Sequence, residues 1–201
     1  MRVTDIQDFH KKTVKVYVDD KFAFVLYKGE LRLYKISVGK DVAKEDYDKI
    51  TKEVLPKRAK LRCMNLLKSR PYTEKRLRDK LKEGLYDPEI VDEALSYVKG
   101  FGYVNDLQYA SDYLYYHGAK LTKRQVFQKL YERGVPKDVI EEAYETYTEE
   151  NEVSEADLAR SYLEKWHYDA AVATPEDKAK IVRRLLTKGF SYDVVFSLHL
   201  T

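Results

Sequence analysis

Leu121-Thr122-Lys123-Arg124-Gln125-Val126-Phe127-Gln128-Lys129-Leu130-Tyr131-Glu132-Arg133-Gly134-Val135-Pro136 is the stretch on which the reading of this chain turns. Thr122 and Gln125 have capping-box spacing, so a helix opens here. Val126, Lys129 and Leu130 set an apolar-x-x-basic-Leu pattern along it. Gly134 then stands where a helix commonly ends in a left-handed residue. The stretch predicts a helix over 122–133 and a second over 136–149.

The pattern recurs to either side. Apolar-x-x-basic-Leu appears as Leu77…Lys80-Leu81, Val126…Lys129-Leu130 and Ile181…Arg184-Leu185. Each is preceded by a small residue, two positions, a bulky residue and Leu: Cys63…Leu66-Leu67, Ala110…Tyr113-Leu114 and Ala159…Tyr162-Leu163. Nine residues after each second-element leucine comes Ile90, Val139 or Val194, with Ala94, Ala143 or Leu198 one turn later. Gly84, Gly134 and Gly189 lie between and are expected at positive φ. Asp87-Pro88 and Thr174-Pro175 add cap-then-proline helix starts. Nine helices follow: 59–69, 73–83, 88–100, 105–117, 122–133, 136–149, 155–169, 174–188 and 191–200. First and second elements are 14, 16 and 22 residues apart, so the third unit carries an insertion near 167–173.

These helices form three units of three, at 51–104, 105–150 and 151–201. Stacked units of this size need neighbours to bury their apolar faces. The expected fold is mainly α: tandem three-helix repeats in an elongated curved rod, flexing at 149–155, behind a small N-terminal β-hairpin segment over 1–50. In that segment Val14, Val16 and Val18 alternate with polar or aromatic residues. Asp19-Asp20-Lys21 supplies a turn, and Phe22, Phe24 and Leu26 follow at period two. Leu31–Ile36 reads as a third strand or a short helix, and 41–53 as a helix. A lone hairpin is marginal, so the segment is expected to pack on the helices.

Composition agrees. Of 201 residues, 44% are apolar and 35% charged, and eight glycines and five prolines are too few for a turn-rich β protein. The longest apolar run, Phe22–Tyr27, is far short of a membrane span. Met1–Asp5 leads into no apolar stretch, so no secretory signal and a cytoplasmic location are expected. The single cysteine, Cys63, excludes an internal disulfide and a Cys-based zinc site, and its place at a repeated small position predicts an inert packed thiol.

The net charge of +3 conceals a segregation. Residues 57–82 hold eleven Lys/Arg against Glu74 and Asp79, and residues 138–157 hold nine Asp/Glu and no Lys or Arg. In the basic block Lys57, Lys60 and Lys68 are expected on a helix face away from Leu61 and Leu66. Lys75, Arg78 and Lys82 are expected opposite Leu77 and Leu81. With only Glu74 and Asp79 at hand to pair with, the block reads as a phosphate-contacting face more readily than a solvated one. The candidate DNA contacts are Lys57, Arg58, Lys60, Lys68, Arg70, Lys75, Arg76, Arg78 and Lys82. The acidic block reads either as a solvated helix and linker or as a surface that sets orientation on a partner.

Eighteen tyrosines include Tyr109, Tyr113 and Tyr116 at core spacing, with Tyr115 alone expected outside. Trp166 is expected to pack beside the insertion. His10, His117, His167 and His199 are scattered, the glycines form no phosphate loop, and no metal, cofactor or catalytic constellation is expected.

Lys57–Tyr147 resembles RecX, the regulator of RecA-type recombinases. The resemblance is carried by Leu66-Leu67…Arg70…Leu77-x-x-Lys80-Leu81, by Gly102-Tyr103-Val104-Asn105-Asp106…Tyr109-Ala110, and by Lys129-Leu130-x-x-x-Gly134-Val135. Asn105 and Tyr109 depart conservatively from the family pattern. The third unit resembles the more divergent terminal repeat of such proteins, and the hairpin segment resembles their longer members. The resemblance implies a non-catalytic, monomeric modulator that docks in the groove of a recombinase–DNA filament, limits strand exchange and coprotease activity, and binds single- or double-stranded DNA. A stand-alone nucleic-acid-binding module and a protein-only helical scaffold are the alternatives.

Overall fold

A computed structural model describes residues 1–151 and 154–199, so the middle of the expected hinge, Glu152 of the acidic block and the end of the last expected helix lie outside the described residues. The chain is mainly helical and forms two compact units, Met1–Val104 and Asn105–Thr201.

The first unit opens with three antiparallel strands in sequential order, β1 (Val3–His10), β2 (Thr13–Val18) and β3 (Lys21–Tyr27). The expected hairpin is β2–β3. Its two turn residues, Asp19 and Asp20, have φ of 49° and 61°, the left-handed pair whose twist matches a two-residue hairpin. β1 went unread because Asp8 occupies the same face as Ile6, opposite Val14, and an irregularity between Val3 and Asp5 breaks the apolar alternation. Period two also fails at one place. Val16 pairs with Phe24 but Tyr17 pairs with Phe22, so Ala23 is an extra residue in β3. That bulge turns Phe22 to the face opposite Phe24: Phe24 is buried, whereas Phe22 is exposed and lies edge-on to Tyr17.

Leu31–Ile36 is not a strand; α1 (Lys28–Leu33) forms there, with Glu30 accepting from the Tyr27 N–H at 2.8 Å. α2 (Lys44–Lys49) continues through a π-turn at Ile50–Val54 into α3 (Leu55–Leu67) without a break. Pro56 lacks the N–H that would close the turn below it and presses on the preceding backbone, and the wider π-turn just before it relieves that conflict. α4 (Glu74–Lys82) and α5 (Pro88–Gly100) complete the unit. Val16, Phe24 and Leu26 of the sheet share one buried cluster with Ile50, Ala59, Cys63, Leu77, Leu81 and Leu95 of the helices.

The second unit contains α6 (Asp106–His117), α7 (Lys123–Glu132), α8 (Lys137–Asn151), α9 (Glu155–Lys165), α10 (Pro175–Lys188) and α11 (Tyr192–Ser197). One buried cluster centres on Ala110, Leu114, Val126, Leu130 and Ile140, and another on Ala159, Leu185, Phe190 and Val195. The two triplets touch through the start of α7. Thr122 Oγ1 donates to the Lys188 carbonyl at 3.4 Å, and the Lys123 N–H donates to Glu155 at 2.6 Å.

The triplets repeat at the level of single hydrogen bonds. The carbonyls of Leu81, Leu130 and Leu185 accept from the N–H groups of Tyr86, Val135 and Phe190, five residues on in each case. The residue before each donor is left-handed, as this helix-ending motif requires: Leu85 at φ 56°, Gly134 at 88° and Gly189 at 102°. The equivalent of Gly134 is therefore Leu85 and not Gly84, and the expectation of positive φ at Gly84 is overturned. Gly84 is needed for space, since a Cβ there would lie 2.9 Å from the Tyr86 ring. The third repeated element also shifts by one. Val91, Ile140 and Val195, ten residues after each leucine, are buried, while Val139 and Val194 are only partly so.

Candidate nucleic-acid interface

α3 packs on α5 through Ala59 and Cys63, both fully buried. Small residues there let the helices approach closely, and they set the buried stripe of α3. Leu61 lies off that stripe and is 54% exposed, so it shares the outer face with Lys57 and Lys68, contrary to expectation. Burial pushes the Cys63 thiol up to about 11, with Arg62 opposing, so the group stays protonated and unreactive.

α4 begins at Thr73, a buried N-cap whose side chain accepts from the Arg76 N–H. Leu77 and Leu81 form its buried stripe. Lys75, Arg76 and Lys82 are exposed, but Arg78 turns sideways to α5. Its guanidinium bonds Asp92 and, at 3.3 Å, Glu74; Glu74 also takes a bond from Lys99 of α5 at 2.6 Å. The Lys99 bond, ahead of the opposing effect of burial, holds the Glu74 carboxyl below the usual range. The Asp92 bond raises Arg78 further still.

The nine candidate cations thus divide into two groups. Arg58 bonds Glu30 at 2.5 Å and the Val25 carbonyl at 3.2 Å, and lies over the Tyr27 ring. Lys60 bonds Glu93 at 2.7 Å beside the Tyr97 ring. With Arg78, these brace helices against their neighbours. Among the described residues, Lys57, Lys68, Arg70, Lys75, Arg76 and Lys82 form no ion pair, and all six are exposed; Arg70 rests on the Tyr72 ring. The pairing acids Glu30, Asp92 and Glu93 come from outside the basic block, which is why a count within the block missed them.

The acidic block lies on α8 and the first turn of α9. Glu155 there serves the start of α7, and the Tyr144 hydroxyl is pushed up to about 12 by burial first and by the Glu155 charge second. Tyr109 and Tyr113 pack against the second cluster, but Tyr116 is 71% exposed beside Tyr115, because Ala110 and Leu114 set a buried stripe that it does not share. Trp166 packs under the Arg184 guanidinium and beside Tyr162. Sequence reading passed over another group of exposed rings, Tyr97, Phe101 and Tyr103, because Phe101 and Tyr103 follow the last residue of α5 and Tyr103 falls outside its helical periodicity. No described helix is long and apolar enough to cross a membrane.

Known proteins match this chain over most of its length. Residues 59–97 fit the family described as RecX, first three-helix domain. The regulatory protein RecX of Caldanaerobacter subterraneus subsp. tengcongensis is 31% identical over 180 residues, covering 89% of this chain and 87% of the relative. That of Clostridioides difficile is 28% identical over 188 residues, covering 90% and 85%. Two crystal structures, one of regulatory protein RecX and one of RecX from Lactobacillus salivarius, share the fold. Their TM-scores are 0.59 and 0.60, each at 23% identity, over 96% and 72% of this chain and 96% and 94% of theirs.

Proposed function

The chain belongs to the RecX family of regulatory proteins, and from that premise we propose that it is a non-catalytic modulator of a RecA-type recombinase. It works in the cytoplasm as a single chain, lies along the groove of the recombinase–DNA filament, and touches DNA with its first three-helix unit. The observation that carries the DNA contact is the start of α4. Lys75 and Arg76 stand exposed in its first turn and form no ion pair among the described residues. Positive charge at a helix N-terminus opposes the helix dipole, so these residues are poorly placed for stability and well placed to receive a phosphate.

The test is inhibition of recombinase ATPase and strand exchange, with co-sedimentation on the filament across a range of salt. A chain that neither inhibits nor co-sediments sinks the reading. Charge reversal of Lys75, Arg76 and Lys82 separates the two contacts. Loss of naked-DNA binding with inhibition intact would assign the main docking energy to the protein groove.

A further inference from the structure

We propose that the end of α5 carries a stacking platform for unpaired nucleobases, formed by Tyr97, Phe101 and Tyr103. The inference rests on the DNA contact proposed above and adds the form of DNA taken and the rings that take it. The three side chains are 41%, 62% and 52% exposed. They make a continuous row: Tyr97 and Phe101 have centroids 4.9 Å apart, and Phe101 and Tyr103 lie 5.9 Å apart with planes inclined by 20°. Single exposed apolar side chains are ordinary, but three adjoining aromatic rings left to water mark an interaction surface.

The backbone builds this row. Gly102 adopts φ 70°, and the Tyr103 N–H returns to the Val98 carbonyl at 2.9 Å, which folds Tyr103 back beside Phe101. Nothing lies within 4 Å of the position a Gly102 Cβ would take, so this part of the turn is open. Charge identifies the occupant. The Lys99–Glu74 bond holds this end of α5 against the first turn of α4. The rings therefore share one end of the triplet with Lys68, Arg70 and Lys75, which form no ion pair among the described residues. Lys60 lies 5.3 Å from the Tyr97 ring. Aromatic faces at the same end of a triplet as unpaired cations suit a polyanion that carries π-faces of its own. A single strand offers such faces, whereas a duplex has already stacked them.

The test is anisotropy titration of the full chain with three labelled probes: a short oligo(dT), an abasic oligomer of the same length, and a duplex. The wild type is expected to bind oligo(dT) more tightly than the abasic oligomer. Phe101→Ala with Tyr103→Ala should weaken oligo(dT) binding about ten-fold and leave the other two probes unchanged. Phe101→Leu, which keeps apolar bulk without a π-face, should weaken it in the same direction, and Tyr103→Phe should not. Equal wild-type affinity for oligo(dT) and the abasic oligomer overturns the platform, as does a double variant that binds oligo(dT) like the wild type. Intact oligo(dT) binding with lost recombinase inhibition reassigns the rings to a protein partner. A wild type that binds none of the probes overturns the underlying DNA contact itself, a failure distinct from loss of the platform alone.

Discussion

Arg58 on α3 bonds the Glu30 carboxylate on α1 at 2.5 Å across 28 residues of sequence, with the two side chains 16% and 22% exposed. A cation from the most basic part of the chain thus joins the strand region to the helices. Glu30→Ala removes the charged acceptor and leaves the guanidinium only the Val25 carbonyl and the Tyr27 ring, and should cost about 1.5–3 kcal/mol in urea unfolding. DNA affinity should stay at the wild-type value or rise. An unchanged unfolding midpoint would show that the pair contributes nothing.

Leu85 holds the left-handed position that glycine fills in the other two triplets. Replacing it by Gly and by Ala removes the same side-chain packing and differs in backbone strain. Leu85→Gly should therefore be the more stable of the two variants by about 1 kcal/mol, the reverse of the usual order. Gly189→Ala should cost about 2 kcal/mol or more, since its Cβ would combine a φ of 102° with a 2.9 Å approach to Thr122 Oγ1. Thermal unfolding of the three variants checks both statements.

The depressed Glu74 carboxyl makes part of the stability acid-sensitive. Its pKa is lower folded than unfolded, chiefly through the Lys99 bond. The stabilisation is whole above the unfolded value of about 4.3 and is lost as pH falls below it through the folded value. Glu74→Gln should flatten the fall of Tm between about pH 5 and 3 relative to wild type. A variant that loses Tm as steeply as wild type over that range would place the acid sensitivity elsewhere.

Salt dependence distinguishes the two kinds of cation. Lys75→Ala and Arg76→Ala should each weaken DNA binding and lower the slope of log affinity against log salt by about 0.7–0.9 for every phosphate no longer neutralised. Arg78→Ala should instead lower Tm, because it releases Asp92 and Glu74. Equal effects of all three on the slope would mean that the Arg78 pairings open when DNA binds.

Much of the helical architecture is legible from the spacing of Leu81, Leu130 and Leu185 and the caps at Thr122, Asp87 and Thr174, since these signals are local. Features that depend on a neighbouring element are not. Ala23 looks like one more residue in an alternating strand, and only its pairing with β2 shows it to be the bulge. Gly84 looks like its counterparts until the Leu81 carbonyl is seen to accept from Tyr86. Arg78 fits an exposed basic stripe as well as Lys75 does, because Asp92 is 14 residues away in sequence and adjacent only once α5 has folded back.

The bond from the Lys123 N–H to Glu155 means that α7 does not carry all of its own closure: an orphan donor of the second triplet is satisfied by the third. Thr122 leans on Lys188 in the same way. An array built like this cannot be trimmed cleanly at the border between its last two triplets. Loss of the last would fray the one before it, so these two fail together.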